Sequence, residues 1–259
     1  MRIATWNVNS LKARMPRVID WVTRFEPSVL CLQETKMSSD AFPHSTFKEM
    51  GYESVHNGEG RWNGVAILSN VGIQDIHMGF DDDKPEDPDA RIVWATCNGV
   101  RIASAYIPNG REVGHDHYHY KLDWLARLKS HLDLNHSPKE NVAILGDFNV
   151  APEDRDVWDI AAFKGATHVS KDEREAFNNI LDWGLVDSFR NQYPEDDGVY
   201  TFWDYRQGSF YKKLGMRIDF ILSSISMDKT LDVIVVDRNA RKGEKPSDHA
   251  PVVADYSMG

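Results

Sequence analysis

The sequence predicts an α/β fold built on mixed β-sheet. Three observations carry this. Short β-branched apolar runs recur along the chain, segments of helical period separate many of them, and one pair of runs meets at Asn98-Gly99, a two-residue turn suited to antiparallel neighbours. In order, Ile3 to Val8 is the first strand. Pro16 to Phe25 follows as a helix, with Pro16 suited to a first turn and Val18, Trp21, Val22 and Phe25 on one face. Val29 to Gln33 and Gly64 to Leu68 are the next strands, and Ile92 to Cys97 and Val100 to Tyr106 form the hairpin. The apolar period of Asp116 to Leu134 predicts a helix, Val142 to Leu145 a strand, and Lys171 to Trp183 a further helix. Ile218 to Leu222, Leu231 to Val236 and Pro251 to Tyr256 complete the strands. With no Gly/Ser or Pro-rich linker and no internal repeat, one continuous domain over residues 1–259 is expected.

Composition supports a folded, soluble protein: 41% of residues are apolar and 11% aromatic, enough for a sizeable core. Cys31 and Cys97 both lie in apolar strand-like runs, so core positions in a reducing compartment are expected rather than a disulfide. No apolar signal core and no stretch of 18 apolar residues occurs, which argues against secretion and membrane insertion. The first strand pattern begins at the very start, which suits a compact bacterial enzyme of the cytoplasm. A monomer is expected.

A net charge of −10 looks wrong for a nucleic-acid binder. Much of the acidity, however, sits in Asp81 to Asp89, whose prolines and lack of apolar residues predict a solvated loop. Basic residues gather at Lys12/Arg14/Arg17, Lys212/Lys213/Arg217 and Arg238/Arg241/Lys242/Lys245. These are equally read as solvated faces or as parts of one positive surface.

Polar side chains stand where the apolar runs stop. Asn7 lies near the end of the first strand, Glu34 follows Val29 to Gln33, Tyr106 closes its strand, and Asp147 and Asn149 follow Val142 to Leu145. Asp219 interrupts an apolar strand, and Asp248-His249 precedes the last one. Singly, Asp147 and Asn149 read as turn residues, Glu34 as a loop opener and Asp248-His249 as a structural turn. Asp219 resists such a reading, because a buried anion needs a cation, and a histidine is a plausible partner.

Together these segments resemble a known family. Trp6-Asn7-Val8-Asn9, Leu32-Gln33-Glu34-Thr35-Lys36, Ala105-Tyr106-Ile107-Pro108-Asn109, Gly146-Asp147-Phe148-Asn149, Arg217-Ile218-Asp219-Phe220 and Ser247-Asp248-His249 occur in the order seen in the exonuclease III family. These are DNA-repair apurinic/apyrimidinic endonucleases of the endonuclease, exonuclease and phosphatase superfamily. The likeness runs from residue 3 to residue 256, and Trp62 to Leu68 and Tyr200 to Tyr205 add to it.

The resemblance implies a four-layer sandwich of two mixed β-sheets flanked by helices, with the catalytic centre at one end. It also implies a divalent ion, Mg²⁺ with Mn²⁺ as a substitute, anchored by Glu34 with Asn7 and Asp248. Asp147, Asn149 and His249 are ligands of a second ion or catalytic groups, and the sequence leaves one metal or two open. In the implied reaction Asp147 activates a water, Asn149 steadies it, His249 backed by Asp219 binds the phosphate, and Tyr106 donates a hydrogen bond. The implied substrate is duplex DNA, cut 5′ to an abasic site or processed at a blocked or intact 3′ end. Phe202, Trp203 and Met216 would form the sugar pocket, and Met216 stands where Trp or Leu is expected. Arg111 would brace the helix groove; by itself it reads as an exposed loop arginine. A lipid phosphatase of the same superfamily would carry apolar loops or a secretion signal, and a secreted nuclease would carry disulfides and a signal peptide. A catalytically dead DNA-binding module would have lost one of these groups, and every matched position is occupied.

Overall fold

A computed structural model describes residues 1–82 and 84–258. Its strands are β1 (Arg2–Asn7), β2 (Val29–Gln33), β3 (Glu53–Asn57), β4 (Val65–Ser69), β5 (Gln74–Met78), β6 (Ile92–Cys97), β7 (Val100–Tyr106), β8 (Val142–Asp147), β9 (Leu185–Asp187), β10 (Asp219–Ser224), β11 (Leu231–Val236) and β12 (Val252–Tyr256). The helices are α1 (Leu11–Phe25), α2 (His44–Glu49), α3 (Asp116–Asn135), α4 (Lys171–Leu181), α5 (Ser188–Gln192), α6 (Ser209–Lys212) and α7 (Ile225–Asp228).

The strands form two six-stranded sheets, ordered β11-β12-β1-β2-β4-β3 and β5-β6-β7-β8-β10-β9. Each is mixed, with β1/β2 parallel in one, β7/β8 parallel in the other, and antiparallel neighbours elsewhere. Alternate residues sort into layers, because successive side chains on a strand point to opposite faces. Ile3, Cys31 and Ile67 meet Val93, Ile102, Leu145 and Ile221 between the sheets. The other face of the first sheet, through Ala4, Leu30, Leu32 and Ala66, packs on Val18, Trp21 and Val22 of α1 and Phe47 of α2. Trp94, Ile144 and Phe220 of the second sheet pack on Trp124, Leu125 and Leu128 of α3 and Phe177 and Ile180 of α4. The result is the expected four-layer α/β sandwich. Both faces of the central strands are covered, so they read as unbroken apolar runs rather than as alternation.

All nine predicted strands are present, four with the predicted bounds and five differing by a residue or two at their ends. The hairpin forms at Asn98-Gly99, with both residues at positive φ (47° and 76°). β3, β5 and β9 were not legible in the sequence: all lie at sheet edges, and β3 and β5 are polar while β9 is three residues long. Helix α1 begins at Leu11, so Pro16 lies inside it rather than in its first turn. The bond it forgoes is to the carbonyl of Lys12, on the exposed side, where the loss costs least. Helix α4 stops at Leu181, short of Trp183. The acidic stretch is less solvated than predicted. Asp82 is buried against Arg127 (2.7 Å), Asp87 accepts from the Tyr120 hydroxyl (2.6 Å) and Asp89 pairs with Arg91 (2.8 Å), while Asp83 lies outside the described residues. Cys31 and Cys97 are free and buried. Among the described residues no helix is long and apolar enough to cross a membrane.

Candidate active site at the strand ends

Strand register brings the polar residues together. Asn7 ends β1, and Glu34 follows the parallel β2. Tyr106, the last residue of β7, is in register with Asp147, the last of β8, and Asp147 is in register with Asp219, the first of the antiparallel β10. Asp219 therefore opens its strand rather than interrupting it. Gly146 makes the close approach of the parallel β7 and β8 possible at this point: a Cβ there would lie 1.8 Å from the carbonyl oxygen of Ala105. His249 enters from the segment before β12, held by its carbonyl accepting from the Trp6 indole (3.2 Å) and its N–H donating to the Ser247 hydroxyl (3.2 Å).

Glu34, Asp147 and His249 each offer a ligand atom within 4.8 Å of the others. The Asn7 amide nitrogen donates to Glu34 Oε1 (2.8 Å) and to Asp147 Oδ2 (2.9 Å), while its oxygen accepts from the N–H of Asn9 (3.0 Å). Asn7 is thus turned as an orienting donor between two carboxylates. Asp147 Oδ1 accepts from the N–H of Asn149 (2.9 Å), whose backbone is left-handed (φ 52°). The Asn149 side chain donates to the Ile107 carbonyl (3.0 Å), and its oxygen accepts from Asn109 (3.1 Å) and faces His168 Nε2 at 3.2 Å. Asp219 meets His249 Nδ1 at 2.8 Å, and its backbone N–H donates to the Thr201 hydroxyl (3.1 Å). His249 Nε2 lies 3.8 Å from Asp147. Asp248 stands one step outside, accepting from Asn9 (3.0 Å).

The charges follow from this crowding. Burial pushes the Asp147 carboxyl up to about 8, with Asp219 and Glu34 adding to it against His249. Burial opposes charge on His249, but Asp219 and Asp147 outweigh it and raise the imidazole to about 10. Burial also acts on Glu34, yet the Lys36 ammonium at 2.8 Å and the Asn7 hydrogen bond hold its carboxyl below the usual range. Tyr106 is pushed well above the ordinary phenol by burial and by Glu34 and Asp147, which keeps its proton available to donate. The donor set is oxygen-rich, carries more carboxylates than nearby cations and holds one histidine, which fits a hard divalent ion.

The pocket residues are divided. Phe202 packs its ring 4.9 Å from that of His249 and bridges in the backbone to both His249 and Met216. Met216 is buried against Ala151, Val157 and Ile218. Trp203 is only 2% exposed, in a separate cluster with Phe210 and Ala250, so its indole offers no surface to a ligand in this arrangement. Arg111 is exposed on its loop, with its N–H bonded to the Asn109 side chain (3.1 Å). Of the basic groups, Arg217 and Arg241 depart from the predicted surface role: Arg217 is buried between Asp156 (2.8 Å) and Asp187 (2.7 Å), and Arg241 is buried, donating to the Ser247 and Trp203 carbonyls. Arg17 ties its own segment to the Arg238 to Lys245 segment by donating to the carbonyls of Ala240, Lys242 and Glu244. Lys12, Lys242 and Lys245 remain exposed.

Sequence reasoning passed over Asn9, Lys36, Asn109, Thr201, Lys121, His168 and Glu173. The first four lie within the quoted motifs, where an unassigned polar residue was the available signal. The last three belong to no motif, and Ser170-x-x-Glu173 reads locally as a helix start.

Fold and centre together define an α/β sandwich whose sheet ends converge on carboxylates, amides and a carboxylate-paired histidine. The chain belongs to the Endonuclease/Exonuclease/phosphatase family, whose sequence profile matches residues 4–249. It is 30% identical to exodeoxyribonuclease III of Haemophilus influenzae over 270 aligned positions, 99% of this chain and 100% of that protein. The structure of an AP endonuclease from Archaeoglobus fulgidus superposes with a TM-score of 0.96 at 37% identity, covering all of both chains. NExo from Neisseria meningitidis, described as a 3′-5′ exonuclease, superposes over all of both chains with a TM-score of 0.94 at 41% identity. A second structure of Neisseria NExo, described as a 3′ phosphatase bound to product DNA hairpin, gives 0.95.

Proposed function

We propose that residues 1–259 form one catalytic unit, a Mg²⁺-dependent phosphodiesterase of the exonuclease III type acting on duplex DNA at abasic sites and 3′ ends. The observation that carries this reading is the convergence of Glu34, Asp147 and His249, with His249 paired to Asp219. The names of the relatives agree with it: exodeoxyribonuclease III, AP endonuclease, 3′-5′ exonuclease and 3′ phosphatase.

Glu34 would anchor the ion, assisted by Asn7 and Asp248, while Asp147, Asn149 and His249 would be donors to a second ion or, with one ion bound, the catalytic groups. When bound, the ion supplies Lewis-acid stabilisation of charge on the phosphate and the leaving 3′ oxygen. The rest falls to the chain. Asp147, fixed through both oxygens by Asn7 and Asn149, takes a proton from water as its oxygen attacks phosphorus in line. The P–O3′ bond breaks as the new P–O bond forms, and no covalent enzyme intermediate arises. His249, held protonated by Asp219, directs its free Nε2–H to a non-bridging oxygen. Tyr106 donates to the phosphate or the leaving oxygen, Asn149 steadies the water, and Phe202 and Met216 line the apolar side of the sugar site. Arg111 and the exposed lysines reach for the backbone.

The test is one gel comparing duplexes that carry a reduced abasic site, a 3′-phosphate or an intact 3′ end. Cleavage is expected with Mg²⁺ and lost in excess EDTA after metal stripping. Full activity without metal would overturn the reading.

A further inference from the structure

Lys121 of α3 and Glu173 of α4 form an ion pair with no exposed surface on either side chain. Burying two charges is costly, and an apolar pair of similar volume is often as stable, so such a pair is poor evidence of a purely stabilising role. Its bonds point toward the site. The Lys121 ammonium donates to the Asn149 carbonyl (2.6 Å) and reaches the Asn109 carbonyl at 3.4 Å, and Glu173 takes its third direction. Glu173 Oε1 in turn accepts from the Thr167 hydroxyl (2.6 Å) and the His168 N–H (2.9 Å). Three loops, carrying Asn109, Asn149 and His168, are therefore tied to one buried charge pair. Gly110 is needed for the closeness of this packing, since a Cβ there would lie 2.8 Å from the Thr167 hydroxyl and 3.2 Å from Lys121.

We propose that Lys121, neutralised by Glu173, is a positioning residue that locks the left-handed backbone of Asn149 and through it the Asp147 carboxylate. The route is short. Lys121 holds the Asn149 carbonyl, the N–H on the other side of the same Cα holds Asp147 Oδ1, and the side-chain amide of that residue donates to the Ile107 carbonyl. Lys121 bonds to the Asn149 and Asn109 carbonyls and to Glu173, none of them a reacting atom. The inference rests on the water-activating role proposed for Asp147 and Asn149.

The test is the double variant Lys121→Met with Glu173→Gln, which removes both charges and keeps an acceptor for the Ser170 cap. It is expected to fold with a thermal midpoint near the wild type, to lose about 10–100-fold in kcat, as typical for groups that orient a metal or catalytic shell, and to change KM by less than about threefold. Hydrogen exchange at the Asn149 amide, followed by NMR, is expected to quicken by about tenfold while β10 amides stay protected. A folded double variant with unchanged kcat, or with unchanged exchange at Asn149, overturns the proposal. If the double variant does not fold, Lys121→Met with Glu173→Met replaces it and is read in the same way. A wild-type protein inactive on all three duplexes would sink the nuclease reading instead, and the exchange measurement would still decide whether Lys121 locks Asn149.

Discussion

Asp147 is the side chain on which most of the local geometry converges. Its two oxygens are claimed by different elements, Asn7 from β1 and the Asn149 N–H from its own loop, so its orientation is set before any water arrives. Its proton affinity is raised by burial among Asp219 and Glu34, which suits a base that must accept a proton near neutrality. Asp147→Asn keeps the size and the hydrogen bonds to the backbone but cannot take a proton. We expect turnover to fall by about 10²–10⁴-fold with DNA binding retained, measured by single-turnover cleavage beside a binding titration. Near wild-type cleavage would remove Asp147 from the role of base. His249 differs in kind: its charge is made by Asp219, two strands away in sequence but adjacent in the site, and no reading of His249 alone would give it.

At the scale of elements, the parallel β7/β8 pair is the part least tolerant of change. Gly146 lies in register with Ala105 and packs against its carbonyl, one residue before the paired Tyr106 and Asp147. Gly146→Ala would force the two strands apart where both site residues leave them. A destabilisation of about 3 kcal/mol is expected, seen as a lower urea midpoint, and a change below about 0.5 kcal/mol would show that the strands separate freely. The central strands were legible because burial on both faces makes them uniformly apolar. The edge strands β3 and β5 were not, because an edge with a solvated face can be mostly polar and carry too few apolar residues to show a run, and β9 is too short to show any period. Helix α1 was read too short for a related reason: Pro16 is a strong local signal for a start, and Leu11, buried one turn earlier, outweighs it only through tertiary packing.

For the whole molecule, buried histidines tie stability to pH. Burial lowers His56, on β3 with its Nε2 2.8 Å from the Thr35 hydroxyl beside Glu34, to about 4, and His131, on α3, to about 4. Each is neutral when folded and ready to protonate when unfolded. The unfolded chain therefore binds more protons between about pH 6.5, the ordinary histidine value, and about pH 4, and stability falls as pH falls through that window. Each histidine is expected to lower the folded-to-unfolded ratio by up to about tenfold per pH unit there, checked by urea unfolding from pH 7 to pH 4. His56→Gln and His131→Gln together should flatten the slope; an unchanged slope would place the acid sensitivity elsewhere.

The sequence by itself determined the α/β class, nine strands of which all but β11 are interior to their sheets, the three long helices and the set of polar residues at strand ends. It could do so because those features are written in local periodicity and in side chains that interrupt it. Only the tertiary structure decided which of those residues meet. Register places Asp147 beside Tyr106 and Asp219, and chain crossing brings His249 from the last segment and Asn7 from the first to the same point. The structure alone also withdrew Arg217 from the positive surface and Trp203 from the pocket wall, and showed Lys121 and Glu173 beneath Asn149. A charged residue looks the same in sequence whether it faces water or a buried partner, because the difference is a contact between segments far apart in the chain.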